Sequence, residues 1–87
     1  MRFEFDPEKS AANKVKHGID FMVAQGIWGD PDRVEIPARS LDELRHQVIG
    51  RIGRKTWSAF ITYRNETIRI ISVRRARPEE EARYLAD

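Results

Sequence analysis

The chain has 87 residues, of which 40% are hydrophobic and 34% charged, with no cysteine and a net charge of +2. This length allows one compact domain, residues 1–87, and the composition is that of a soluble globular protein. The lack of cysteine excludes disulfide scaffolds and thiolate chemistry. No apolar run near the start is long enough for a signal peptide or membrane span, so we expect a cytoplasmic location.

Charge is distributed unevenly along the chain. Residues 1–44 carry six basic and nine acidic groups, whereas residues 45–87 carry ten basic and five acidic groups. Between Arg45 and Arg77, nine basic residues, eight of them arginine, stand against Glu66 alone. A guanidinium group pairs two phosphate oxygens at once and stacks on nucleobases, so this segment favours contact with nucleic acid. The alternative is an ordinary solvated charged face.

The N-terminal segment predicts a strand and then a helix. Polar and aromatic residues alternate over Arg2–Phe5, which is typical of a short strand. Asp6 is a good N-cap and Pro7 a good first helical residue, so we expect a helix to start there. The helix should run to about His17 and end at Gly18, which tolerates the left-handed conformation of a helix end.

A second helix and a turn are expected next. Asp20 predicts an N-cap for a short apolar helix through about Trp28. The following segment, residues 29–32, combines glycine, proline and aspartate and predicts a turn. Arg33–Ile36 is expected to form a brief strand, and Pro37–Glu43 a polar loop.

The second half predicts three strands and a closing helix. The strands are Arg45–Ile52, Thr56–Tyr63 and Thr67–Arg75, separated by turns at residues 53–55 and 65–66. Pro78, followed by three glutamates, fits the first turn of a helix. We therefore expect an α+β fold: a small antiparallel sheet of about four to five strands, two N-terminal helices and one C-terminal helix.

The turn at residues 65–66 sets the register of the last two strands. If this loop holds two residues, Arg64 pairs with Thr67, and the ladder then places 61 opposite 70, 59 opposite 72 and Trp57 opposite Arg74. This register gives one apolar face. It also puts Arg74 beside Trp57, where the guanidinium either stacks on the indole ring or pairs with a carboxylate.

The other face of these strands is expected to collect cations. Arg64 and Arg69 cluster there in this register. Arg74 and Arg75 point to opposite faces because neighbouring strand residues alternate, so one of the two is expected to have a structural role.

The arginines suit one particular chemistry. A ribonuclease without a metal lets the 2′-hydroxyl of the RNA attack the scissile phosphate, and it needs a base, an acid and cations that stabilise the phosphorane. Candidate phosphate-stabilising cations are Arg64, Arg74 and Arg77, and candidate RNA-binding residues are Arg51, Arg54, Lys55, Arg69 and Arg75. With two histidines and no clustered carboxylates, the sequence predicts no metal site and no cofactor.

Candidates for proton transfer lie on the first and last helices. Tyr84 recurs at helical spacing from Arg77, which places the phenol beside that cation; the alternative is a tyrosine that packs its ring and leaves its hydroxyl in water. Lys14 and His17 share a polar stripe on the first helix, and His17 is a natural acid or base near neutral pH. The alternative for His17 is a residue favoured by the helix dipole.

Two groups of residues match a known motif. One comprises Phe5-Asp6-Pro7, Lys9, Asn13 and Lys16-His17-Gly18-Ile19-Asp20-Phe21, and the other Arg69-Ile70-Ile71-Ser72-Val73-Arg74-Arg75-Ala76, Glu80 and Tyr84. In these residues the chain resembles BrnT-type toxins of bacterial type II toxin–antitoxin systems. The resemblance implies a RelE-like ribonuclease fold, growth-inhibiting cleavage of messenger RNA, and a cognate BrnA-like ribbon-helix-helix antitoxin that dimerises and binds operator DNA.

The resemblance also implies roles for particular residues. In the wider RelE superfamily, an arginine at the end of the last strand and a tyrosine on the closing helix serve catalysis, and these match Arg74 to Arg77 and Tyr84. A second arginine usually lies in the preceding strand, but residues 58–62 contain no cation. Arg64 and Arg69 are the candidates to replace it. The alternative function is a noncatalytic module that binds nucleic acid or a partner through its basic face.

Overall fold

The computed structural model describes residues 1–38 and 44–86. A five-stranded sheet has the order β1-β5-β4-β3-β2, in which β1 is parallel to β5 and the other pairs are antiparallel. The elements are β1 Arg2–Glu4, α1 Pro7–His17, α2 Phe21–Ala24, a 3-10 turn Gln25–Gly29, β2 Val34–Ala38, β3 Arg45–Ile52, β4 Lys55–Arg64, β5 Thr67–Arg75 and α3 Pro78–Ala86. The predicted α+β fold is confirmed.

Local capping explains where α1 begins and ends. The Asp6 carboxylate accepts a hydrogen bond from the Glu8 amide at 2.9 Å, and Pro7 occupies the first helical position, where its missing N–H costs nothing. Gly18 closes the helix with φ 79° and donates its N–H to the Lys14 carbonyl. These are the residues from which the sequence predicted the helix.

The second helix is shorter than expected. Asp20 caps it as predicted, by accepting a hydrogen bond from the Val23 amide at 2.8 Å. The α-helical turns end at Ala24, and the chain tightens into the 3-10 turn that ends at Gly29. Gly26 and Gly29 both disfavour a continuous α-helix, which accounts for the change.

The hydrophobic core lies between the sheet and the N-terminal helices, and we call this side of the sheet the α1 face. A Cβ at Gly50 would lie 2.9 Å from Ile27 Cγ2, so the 3-10 turn packs directly on the backbone of β3. The core residues are Ile19, Phe21, Ala24, Ile27, Val48, Trp57, Ala59, Ile61, Ile68, Ile70 and Val73. Helix α3 packs on the opposite side, which we call the α3 face.

Two buried polar side chains attach α1 to the rest of the protein. Asn13 donates to the carbonyls of Ile19 and Val73 at 2.8 and 2.9 Å, and it accepts from the Val73 amide at 3.2 Å. Ser10 accepts a hydrogen bond from the Phe21 amide at 2.9 Å. Because these groups satisfy backbone atoms that would otherwise be buried and unpaired, Asn13 fixes α1 against β5 and Ser10 fixes it against α2.

The predicted register of β4 and β5 was wrong over half its length. Pairing follows the prediction from 64 opposite 67 to 61 opposite 70, and then shifts by one residue. Ile71 is the extra residue of a β-bulge in β5, so Trp57 lies opposite Arg75 instead of Arg74. Arg74 therefore lies on the α3 face, and the predicted neighbourhood of Arg74 and Trp57 does not exist.

The edge strand β2 also departs from the prediction. It includes Pro37 and Ala38, which the sequence assigned to a loop. Because β2 lies at the edge of the sheet and pairs with β3 alone, a proline lacking an N–H is tolerated there. The rest of the predicted loop, residues 39–43, lies outside the described residues. Across residues 1–38 and 44–86 no helix has the length and apolar character needed to span a membrane.

Candidate nucleic-acid interface

Exposed cations converge at one end of the sheet. The β3–β4 turn and the end of β5 meet there, because Arg51 pairs with Thr56 in β4 and the Ala76 amide donates to the Thr56 carbonyl at 2.9 Å. We call the exposed cations at this end the basic rim: Arg51, Arg54, Lys55, Arg75 and Arg77. Four of the five predicted RNA-binding residues belong to it, together with Arg77.

Aromatic rings orient two cations of the basic rim. The Arg51 guanidinium lies 5.2 Å from the centre of the Tyr84 ring, and its Nε donates to Thr56 Oγ1 at 3.2 Å. The Arg75 guanidinium lies 5.5 Å from the centre of the Trp57 ring. Such cation–π contacts hold a guanidinium in place without neutralising its charge, so both arginines remain able to bind phosphate.

On the α3 face, Arg74 is held by a network around Glu80. Its Nη1 and Nη2 atoms donate to the two carboxylate oxygens at 2.7 and 2.8 Å. The same carboxylate accepts from Ser58 Oγ at 3.0 Å, from the Gln47 side-chain amide and from the Arg77 backbone amide at 2.8 Å. Five donors thus surround one carboxylate, and the bidentate pair fixes the plane of the guanidinium.

This network determines which proton-transfer roles are open to Glu80. Burial alone would raise the pKa of Glu80, but the hydrogen bonds from Arg74, the Arg77 amide, Gln47 and Ser58 outweigh it and lower the pKa to about 2. The hydrogen bond with Glu80 in turn raises the pKa of Arg74. A carboxylate with a pKa this low binds a proton too weakly to be an effective general base near neutral pH. The geometry therefore gives Glu80 the role of positioning Arg74.

Tyr84 joins α3 to the turn before β2. Its hydroxyl donates to Asp30 Oδ2 at 2.7 Å, and the Asp30 carboxylate also accepts from the Arg51 and Asp32 amides at 2.8 and 2.9 Å. The hydrogen bond to Asp30 and burial together raise the pKa of Tyr84. In this arrangement the phenol is 8% exposed and engaged by Asp30. A role for Tyr84 in proton transfer stays a prediction.

The structure separates the other predicted proton-transfer residues from Arg74. Lys14 and His17 belong to α1, which packs on the α1 face, whereas Arg74 lies on the α3 face. Lys14 is exposed and His17 is half-buried. Their predicted role would require substrate to reach around the sheet, and it stays untested.

Arg64 and Arg69 lie toward the opposite end of the sheet from the basic rim. Arg69 forms an ion pair with Glu4 at 2.7 Å, and Arg64 is exposed beside the β4–β5 turn. The five positions from Arg69 to Arg74 correspond to a separation of roughly 15 Å along the strand. The structure thus brings Arg74 and Arg77 together and places Arg64 and Arg69 apart from them.

One polar cluster was missed by sequence reasoning. The Tyr63 hydroxyl donates to the Glu35 carboxylate, 2.8 Å from each oxygen, and His46 Nδ1 lies 3.2 Å from Glu35 Oε2. Burial, followed by the hydrogen bond to Glu35, raises the pKa of Tyr63 to about 12. These residues come from three strands, so their juxtaposition depends on register and had no local signal. A carboxylate that orients an imidazole is an arrangement suited to proton transfer.

The fold and the charged surface together indicate a protein that binds a polyanion. A small α+β domain with ordered arginines beside an exposed cationic rim is suited to binding a polyanion. Within the described ranges, no group of three or more His, Asp or Glu side chains is placed to hold a metal ion.

Comparison of the sequence with known protein families identifies the family of this chain. A family model described as the ribonuclease toxin BrnT of type II toxin–antitoxin systems matches residues 5–80, which is most of the chain. The chain belongs to this ribonuclease toxin family, as the sequence motifs indicated, and membership implies a cognate antitoxin partner. A search of curated proteins finds no match.

Proposed function

We propose that the protein is an endoribonuclease that cleaves messenger RNA without a metal or other cofactor and inhibits growth until its antitoxin binds it. In the proposed reaction the 2′-oxygen attacks phosphorus, and its proton passes to a general base. The bond to the 5′-oxygen breaks, and that oxygen takes a proton from a general acid. The products are a 2′,3′-cyclic phosphate and a 5′-hydroxyl end.

The observation that carries this proposal is the ordered arginine set beside the basic rim. Arg74 is held rigidly by Glu80, and the Arg77 backbone amide joins the same network. Cations that are fixed before the reaction stabilise the phosphorane without reorganisation, a contribution of several kcal/mol in such reactions. Arg54 and Lys55 are exposed beside them and are suited to hold flanking phosphates.

Several side chains are candidates for the proton transfer. Tyr84, Lys14 and His17 are the groups that the sequence indicated, and Arg64 was expected to help at the phosphate. The structure adds His46 as an imidazole oriented by a carboxylate. Because these side chains lie on different elements of the fold, single substitutions are able to distinguish them.

Noncatalytic RNA binding is the second candidate function. The observation that favours it is that the acid–base groups beside Arg74 are already engaged: Glu80 accepts five hydrogen bonds and the Tyr84 phenol donates to Asp30. The two functions share a binding surface and differ only in whether RNA is cut.

Cleavage of defined RNA by purified protein tests the proposal. We expect cuts in the presence of a chelator, with 5′-hydroxyl ends, and no cut where a single 2′-deoxynucleotide replaces the attacking one. Arg77→Gln should slow cleavage strongly, whereas Lys9→Gln, an exposed cation of α1, serves as the charge-matched control. Retention of RNA without cleavage would favour the binding module, and cleavage at the 2′-deoxy position would refute the mechanism.

Expression in cells tests whether the protein inhibits growth and whether its antitoxin neutralises it. Induction of the chain alone should arrest growth and create new messenger RNA 5′ ends, and co-expression of the cognate antitoxin should abolish both. We propose that this antitoxin is BrnA-like, that it dimerises through a ribbon-helix-helix region, and that toxin and antitoxin act together in the cytoplasm. The purified complex should retard operator DNA, whereas the toxin alone should not; retardation by the toxin alone would contradict the assignment of DNA binding to the antitoxin.

A further inference from the structure

Phe60 is an aromatic residue placed among polar neighbours. It lies on the α3 face, opposite Gln47 in β3 and Ser72 in β5, and it does not belong to the hydrophobic core on the other side of the sheet. Its ring is half-buried, so part of it contacts solvent. The exposed part of the ring is a surface on which another flat group can pack.

Arg74 lies over one face of the Phe60 ring. Its guanidinium carbon lies 5.2 Å from the centre of the Phe60 ring, and the bidentate pair with Glu80 fixes its plane. The Arg74 side chain is 22% exposed. The bulge at Ile71 creates this arrangement, because it turns Arg74 toward the α3 face. Rings and guanidinium planes are the surfaces on which unpaired nucleobases stack.

We propose that Phe60 and Arg74 form a stacking site for one unpaired nucleobase of single-stranded RNA. The proposal rests on the RNA-binding part of the proposed function and adds to it a defined subsite. Cations lie on both sides of this stacking site: the exposed Arg64 lies four residues further along β4 on the same face, and the basic rim lies at the other end. Phosphates on either side of a stacked base would therefore meet positive charge.

An acidic protein segment is the competing occupant of such a surface. It would use the same cations, but it has no base to stack on Phe60. Stacking on an aromatic ring also tolerates any base, because every base has a flat face. The chemistry of the stacking site thus favours RNA, and base stacking provides the measurement that separates the two occupants.

The test uses a short 2′-O-methyl RNA that contains the fluorescent base 2-aminopurine, since this RNA cannot be cleaved through its 2′-oxygen. Binding to the unmodified protein should quench the fluorescence. Phe60→Leu keeps an apolar side chain and removes the ring, so affinity should fall about 5- to 150-fold with the slope of affinity against salt unchanged. Phe60→Trp should restore both affinity and quenching.

Controls keep the outcome interpretable. Phe3→Leu makes the same chemical change at a phenylalanine packed against the core on the α1 face, and it should leave affinity unchanged. An abasic nucleotide at the probed position should weaken binding to the unmodified protein and leave binding to Phe60→Leu unaffected. If Phe60→Leu fails to fold, the abasic test is made on the unmodified protein and on Phe60→Trp, whose larger ring should increase the loss of affinity that the abasic nucleotide causes; an equal or smaller loss would overturn the stacking site.

Equal affinity of the folded Phe60→Leu variant and the unmodified protein, or loss of affinity without a change in quenching, would overturn the stacking site. Binding by an acidic peptide that is lost in Phe60→Leu, with RNA binding unaffected, would assign the surface to a protein partner instead. Intact stacking without cleavage of ordinary RNA would contradict the proposed enzyme and leave the stacking site standing.

Discussion

Replacing Glu80 with glutamine is expected to destabilise the protein in a pH-dependent way. The substitution preserves the size of the side chain but removes its charge. It also brings an amide NH2 group among the donors of Arg74, Gln47 and Ser58, where the carboxylate accepted hydrogen bonds. An amide NH2 group that faces other donors cannot accept their hydrogen bonds, so these bonds are lost. The partly buried guanidinium of Arg74 is then left without its counter-charge.

The pKa shift gives the size of the effect. The pKa of Glu80 is lowered from 4.5 to about 2, and its side chain is only 14% exposed, so solvent screens the interaction weakly. One pKa unit corresponds to about 1.4 kcal/mol, so the ionised carboxylate contributes about 3 kcal/mol to the free energy of unfolding at neutral pH. In a domain of this size such a loss lowers Tm by on the order of 10–20 °C.

Urea unfolding of the unmodified protein and Glu80→Gln, measured from pH 7 to pH 3, tests this value. A carboxylate whose pKa is depressed by folding stabilises the protein above its unfolded pKa, and the stabilisation is lost as the pH falls from 4.5 toward 2. The difference in unfolding free energy should therefore be about 3 kcal/mol at pH 7, and about 60% of it should be gone at pH 3.

Glu79→Gln is the matched control, because it removes the same charge from an exposed neighbour on α3. It should cost less than about 1 kcal/mol. A difference between Glu80→Gln and the unmodified protein that stays constant with pH, or that does not exceed the control, would refute the view that Arg74 is held by an ionised Glu80.

Three further substitutions or titrations test other contacts. Asn13→Ala leaves both backbone groups of Val73 without their partner and should lower the free energy of unfolding by on the order of 3 kcal/mol, measured with urea. A loss below about 1 kcal/mol would contradict the role of these hydrogen bonds in holding α1 on β5. Tyr84→Phe keeps the ring, removes the donor to Asp30 and should cost about 1–2 kcal/mol by the same measurement, whereas no loss would argue against that hydrogen bond. In Tyr84→Phe, Tyr63 is the remaining tyrosine, and its absorbance should titrate near pH 12. The free energy of unfolding that the protonated Tyr63 contributes should be fully present below pH 10 and lost above it. A midpoint near pH 10 in the folded protein would exclude the hydrogen bond to Glu35.

Local signals predicted most of the fold correctly. Asp6, Pro7 and Gly18 determined α1 because capping depends on a few neighbouring residues. The alternation of residues and the turn signals also located β3, β4 and β5 to within about two residues. Prediction failed first at α2, where Gly26 shows that a helix is disfavoured but does not show which tighter turn replaces it.

The position of Arg74 could not be predicted in the same way. Alternation correctly placed Arg74 and Arg75 on opposite faces, but the bulge at Ile71 exchanged the two faces. Nothing in the local sequence distinguishes Ile71 from Ile70 as the extra residue. The packing of Val73 into the core, where it contacts α1 through Asn13, accompanies the shift and depends on the whole sheet.

The polar networks of Glu80 and Tyr84 could not be predicted from the sequence, because their partners are distant in the chain. Glu80 contacts Gln47 and Ser58 across 33 and 22 residues of sequence, and Tyr84 contacts Asp30 across 54. The cations of the basic rim could be named from the sequence, because an exposed charge needs no partner to be recognised. The partner of a buried charge, in contrast, depends on which strands become neighbours.

The parallel pairing of β1 with β5 has a consequence for how the chain folds. Residues 2–4 pair with residues 67–69, and Asn13 bonds with Val73, so β1 stays unpaired until β5 has been synthesised. Contacts so distant in sequence make closure of the chain a late and slow step. Until that step, α1 lacks its attachment to β5, and the apolar side chains of Phe3 and Phe21 lack their full packing, which favours aggregation.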